Sequence, residues 1–175
     1  MIADSSSLII FAKINKLNIL IKLFNKIQIT KEIYNEIIEQ GILIHAPDAE
    51  ILKNFFNNKK IEIIELNKNY EEIAKKLRKT YFQLGIGEAE AIALSLQEKN
   101  KSLVIDERIG RNIAKLYDLK PIGSLRILLE AYKKKIINEK ELRSSLDEMI
   151  KNKFRIGAEI INEFWKVFEK LKKEK

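Results

Sequence analysis

Apolar positions recur along this chain with two different periods. Short alternating or continuous apolar runs over 1–4, 26–29, 61–66, 103–105 and 119–122 predict strands. Between and after them, apolar residues spaced three and four apart predict amphipathic helices. The first opens at Ser5-Ser6-Ser7, and others follow over 17–24, 31–40, 47–56, 69–83, 88–99, 107–117, 124–134, 138–153 and 157–173. Strands that alternate with helices in this way predict an α/β fold. We expect a three-layer α/β/α sandwich around a central parallel sheet, followed by C-terminal helices packed through Phe164, Trp165 and Phe168.

Local signals refine this outline. The serines after Asp4 can satisfy free amides at a helix start, and Asp4 itself can cap that helix. Thr30 reads as an N-cap and Gly41 as the stop of the helix over 31–40. Its apolar stripe is Ile33, Tyr34, Ile37 and Ile38, with Glu32 and Glu39 pointing away. Glu36 lies at the edge of the stripe, where it can reach into a cleft or remain a surface acid. Pro47 opens the next helix. The helix over 88–99 is apolar around most of its circumference and should be packed on more than one side. In the helix over 107–117, Ile109, Ile113 and Leu116 are expected inward, and Arg108, Arg111 and Lys115 form a basic flank. The only histidine, His45, falls in a loop and is given no role.

Composition narrows the chemistry. The 175 residues contain no cysteine, which excludes disulfides, a thiolate nucleophile and zinc-thiolate sites. The apolar runs fall far short of the roughly twenty residues of a membrane helix, so we expect a cytoplasmic protein without membrane association. A formal charge of +8 on a mixed surface suits a polyanionic partner.

The acids are placed more tellingly than their number suggests. Asp4 and Asp106 end predicted strands, Glu88 opens a helix, and Glu36 edges another. Ligands collect beyond the carboxyl ends of strands in open parallel sheets. Carboxylates gathered there repel one another unless a cation neutralises them, and hard divalent cations prefer such oxygen ligands.

Several ordered features together resemble the PIN-domain family. They are Asp4-Ser5-Ser6-Ser7-Leu8-Ile9, the run from Thr30 through Glu36, Leu84-Gly85-Ile86-Gly87-Glu88-Ala89-Glu90-Ala91, and Ile105-Asp106-Glu107-Arg108 through Arg111. Pro121-Ile122-Gly123-Ser124-Leu125 and Phe154-Arg155-Ile156 bring the likeness closest to a prokaryotic branch related to VapC toxins. The resemblance implies one domain overall, a PIN-like catalytic core over 1–135 with a C-terminal helical extension over 136–175. It implies Asp4, Glu36, Glu88 and Asp106 as catalytic acids. The metal, Mg²⁺ or Mn²⁺, would be held by Asp4, Glu88, Asp106 and Glu107, with either member of the Asp106-Glu107 pair as the direct ligand. Ser6 and Ser124 would be supporting polar groups, and Arg108, Arg111 and Lys115 would guide the nucleic acid.

The activity implied is that of a toxin-type endoribonuclease acting on RNA, a homodimer restrained by a cognate antitoxin. An alternative is a catalytically weak or inactive PIN-fold module for nucleic-acid binding or protein interaction. A third reading, Asp4 as a phosphate-attacking nucleophile, needs a lysine in the same pocket, and no lysine singles itself out.

Overall fold

The computed structural model describes residues 1–173. Among them five strands, β1 (Ile2–Ala3), β2 (Ile27–Ile29), β3 (Ile61–Ile63), β4 (Ser102–Val104) and β5 (Lys120–Ile122), form one sheet. Its order is β3-β2-β1-β4-β5, and every pairing is parallel. A parallel sheet is stable when both faces are covered, because its crossover helices lie on them. The crossovers are α1 (Ser5–Lys13) and α2 (Leu17–Phe24), then α3 (Lys31–Tyr34), a π-helical stretch over Asn35–Gln40, α4 (Gly41–Leu43) and α5 (Pro47–Asn57). On the return come α6 (Lys68–Thr80), α7 (Ile86–Gln97) and α8 (Arg108–Leu116). After β5 the chain ends in α9 (Ser124–Lys133), α10 (Glu139–Lys151) and α11 (Ala158–Lys173).

Two helical layers result. In one, α1 packs on α5 and α2, and α2 packs on α9; in the other, α6 and α8 pack on α7, which lies against β1 and β4. The small residues Ala89, Ala91 and Ala93 are fully buried and let α7 approach the sheet closely. Both α10 and α11 pack on α9. Phe164 and Phe168 are buried there, Phe168 4.9 Å from the Tyr132 ring, and the Arg143 guanidinium covers Trp165 at 4.6 Å. Among the described residues no helix is long and apolar enough to cross a membrane.

Several boundaries differ from the sequence reading, each for a local reason. The third strand stops at Ile63 because its partner β2 ends at Ile29, whose carbonyl accepts a last hydrogen bond from Ile64. The helix expected to open at Glu88 begins at Ile86, with Gly85 as its cap. In α8 the buried residues are Gly110, Ile113 and Ala114; Ile109 is 36% and Leu116 72% exposed, against expectation. The helix is turned so that Gly110 faces the sheet, where a Cβ would collide with the Glu88 carboxylate and the Ile105 side chain.

Gly41 is not a helix stop. Its backbone is helical, at φ −60° and ψ −41°, and the chain continues into α4. Its missing side chain serves close packing instead, since a Cβ there would lie 2.6 Å from Cβ of Ala49 on α5. Gly41→Ala should therefore destabilise the chain by about 1–3 kcal/mol through overpacking, although alanine is the better helix former. In urea unfolding, the double variant with Ala49→Gly should lose less than the two single losses added. Simple additivity would mean that the two residues do not press on each other.

Candidate active site

The strand order reverses direction between β1 and β4, so the loops leaving these neighbours part and open a crevice at their carboxyl ends. The register Ala3↔Val104 puts Asp4 immediately beyond β1 and Asp106 just above it beyond β4. Asp4 is 1% exposed. Its Oδ1 accepts the amide of Ser7 at 3.0 Å, capping α1, and its Oδ2 accepts the Ser6 hydroxyl at 2.8 Å. Asp106 accepts the Ser124 amide at 2.7 Å, the Ser124 hydroxyl at 2.6 Å and the Ser7 hydroxyl at 3.1 Å. Ser7 thus ties the two aspartates together, its amide on one and its hydroxyl on the other.

The serine run has a different task from the one expected. Asp4 supplies the amide cap of α1, and the hydroxyls hold acids: Ser6 on Asp4, Ser7 on Asp106, and Ser5 on Oε2 of Glu36 at 2.5 Å. Glu36 comes from the π-helical stretch, a local widening that recurs at functional sites. Gly87 lies against this Ser5 and Glu36 pair, for a Cβ there would be 2.8 Å from Oγ of Ser5 and 3.1 Å from Oε2 of Glu36. Glu88 folds back to accept the amide of Gly85 with Oε2 at 2.8 Å. Its Oε1 is buried and has no hydrogen-bond partner.

Burial and like charge act together on these groups. Burial, then the charge of Asp106, pushes the Asp4 carboxyl up to about 7 against the serine hydrogen bonds. Asp106 is raised by burial, with Ser124, Ser7 and the Arg111 guanidinium acting in the opposite sense. Glu88 is raised by burial and further by Glu107 and Glu36, although its bond from Gly85 opposes this.

Two clefts meet here. An acidic one of about 380 Å³ is lined by Asp4, Glu32, Glu36, Glu88 and Glu107 together with Ser5 and Ser6. A second, of about 730 Å³, is lined by Asp106, Glu107, Arg108, Arg111 and Gly123 among others, and shares Ser6 and Glu107 with the first. Asp4, Glu36, Glu88 and Glu107 therefore face one space, while Asp106 stands in the adjoining one. Arg108 and Arg111 line the second cleft; Lys115 lines neither. Glu32, read as pointing away, belongs to the acidic cleft; its spacing of four from Glu36 was the available signal. No lysine lines the acidic cleft, as a phosphate-attacking Asp4 would require.

The donor set fits a hard divalent cation in kind. It consists of carboxylate oxygens, one of them buried without a partner, and two aspartates raised by burial beside each other. Among the described residues, however, no three acidic side chains stand in an arrangement that could grip one ion. The hydroxyls of Ser5, Ser7 and Ser124 hold Glu36 and Asp106 to themselves, and an ion would compete with them for these oxygens.

The family model DUF3368, described as a PIN domain, matches residues 1–170. No curated protein and no solved structure matches the chain.

The raised Asp4 carboxyl has a consequence for stability that can be measured without any substrate. The folded state holds this proton more tightly than the unfolded chain, where an aspartate titrates near about 4. Stability is therefore lost as pH rises from about 4 through the folded value of about 7. In the presence of a chelator, Asp4→Asn should melt above the parent at pH 8, and the gap should close near pH 4. A gap of equal size at both values would show that charge is not its cause.

Proposed function

The chain belongs to the PIN-domain family, whose fold is of the nuclease type, and on that premise we propose that it is a Mg²⁺- or Mn²⁺-dependent endoribonuclease. The observation that carries this reading is the buried, unpartnered Oε1 of Glu88, a residue that lines one cleft with Asp4, Glu36 and Glu107. A buried carboxylate oxygen without a donor is costly, and a cation is the partner that would also relieve the repulsion among its neighbours.

In this reading Asp4, Glu88, Asp106 and Glu107, which do not stand close enough as a set to grip one ion here, would draw together around it. Bound there, it would lower the pKa of a water and stabilise charge gathering on a phosphodiester. The chain's own residues do the rest. Ser6 and Ser7 fix the two oxygens of Asp4, and Ser124 fixes Asp106 from the start of α9. Glu36 and Glu32, which line the same cleft, would take up the proton given off by the attacking water. Arg108 and Arg111 receive phosphates on the adjoining side, with Lys115 further along the helix. The sequence resemblance extends the proposal to a toxin of the VapC-like branch, a cytoplasmic homodimer held by a cognate antitoxin.

A second reading draws on a specific feature. The serine hydroxyls that occupy Glu36 and Asp106 favour a catalytically weak or inactive module that retains nucleic acid or a protein partner without turnover.

The two readings separate cleanly. With Mn²⁺ the parent should cleave single-stranded RNA, and Mn²⁺ should raise its melting temperature. Asp4→Asn, Glu88→Gln and Asp106→Asn should each lower cleavage by more than about a hundredfold, because loss of even outer-sphere groups around a metal costs about 10–100-fold. Cleavage indifferent to all three changes would defeat the nuclease reading. RNA retention without turnover, and without a rise in melting temperature, would favour the inactive module.

A further inference from the structure

The larger cleft is built by three elements far apart in sequence. Arg108 and Arg111 come from the first turn of α8, Arg126 from α9, and Lys153 and Arg155 from the link between α10 and α11. Phe154 and Ile156 of the same link are half-buried against the core and give the cleft an apolar wall. Arg126 is engaged by Glu130 at 2.7 Å. Arg108, Lys153 and Arg155 are exposed and make no ion pair among the described residues. Five cations thus face three acids, Asp106, Glu107 and Glu163, and Asp106 is already taken up by Ser124 and Ser7. The charge left over is positive, beside an apolar and aromatic surface, and the cleft runs into the acidic one through Ser6 and Glu107.

We propose that this cleft is the binding groove for single-stranded nucleic acid, in which Lys153 and Arg155 of the α10–α11 link grip backbone phosphates and Phe154 receives an unpaired base. A basic groove that follows the backbone, combined with an aromatic face on which bases stack, is the general form of single-strand binding sites. The C-terminal helices then have a role beyond packing, since α11 and the α10–α11 link form one wall of the groove. The direction of the strand rests on the hydrolytic reading above, which places the scissile phosphate in the acidic cleft.

Binding can be tested apart from cleavage, by fluorescence anisotropy of a labelled single-stranded RNA on full-length Asp4→Asn protein in a chelator. Lys153→Gly keeps the left-handed backbone of that residue, φ 63°, and removes its charge. Combined with Arg155→Ala, it should weaken binding and reduce the slope of log affinity against log salt by about 1.4, at about 0.7 for each phosphate of a single strand that is no longer neutralised. Lys76→Ala combined with Lys79→Ala, an equal loss of two charges on α6, should leave both unchanged. Should the double variant fold poorly by circular dichroism, Arg155→Ala alone should reduce the slope by about 0.7. Duplex RNA of the same length should compete weakly. An unaltered slope would overturn the groove while leaving cleavage by the parent intact, and equal competition by duplex would overturn the single-strand assignment. Failure of the parent to cleave would overturn the nuclease reading and leave the binding result standing.

Discussion

The structure turns on two aspartates that the sheet forces together. β1 and β4 are neighbours, so the residues that follow them must share the small space where the chain direction splits. Ser7 spans that space, giving its amide to Asp4 and its hydroxyl to Asp106. A polar span of this kind relieves only part of the desolvation of each carboxyl and none of their mutual repulsion, so burial first and the charge of Asp106 second carry Asp4 up to about 7. The unfavourable term sits at the carboxyl end of the two central strands. The favourable terms lie below it, in the fully buried β1, the apolar α1 and the all-round burial of α7. A two-residue central strand is sufficient because its residues are enclosed on both faces and both edges.

How far the sequence disclosed this depends on whether a residue's role is set locally. The strands and helices follow from apolar period, and Asp4 and Asp106 follow from their position directly after strands, so both levels are legible. Glu36 was ambiguous because it lies on a helix edge. Its side of the edge is decided by the π-helical widening and by Ser5, neither of which leaves a mark in spacing. The glycines were the least legible. Gly41 and Gly110 look like stops or neutral helix positions, yet each is small because Ala49 or Glu88 and Ile105 press on it. Such contacts belong to the tertiary structure alone. For the same reason Ile109 and Leu116 could not be assigned from periodicity, since Gly110 rotates α8 away from the face that its larger residues would choose.

The serine run shows a related limit. Three consecutive hydroxyls at a helix start read naturally as caps, and only the fold reveals that each is spent on a different acid from a different element. Asp4 itself does the capping, so the favourable interaction with the amide end of α1 is made by a residue that burial would otherwise leave costly. The cap and the candidate ligand are one side chain.

The electrostatic layout has a consequence for any polyanion approaching this end of the sheet. The acidic cleft alone would repel phosphate, and the basic cleft alone would hold it without chemistry. Because the two share Ser6 and Glu107, a backbone held in the proposed groove would meet the repelling field where the clefts join. A phosphate at that point would enter favourably only once the acidic charge is offset, whether by protonation of Asp4 or by a cation. In the proposed binding mode the raised carboxyls and the adjoining cations would thus be two halves of one condition, affinity coming from one side and admission from the charge state of the other.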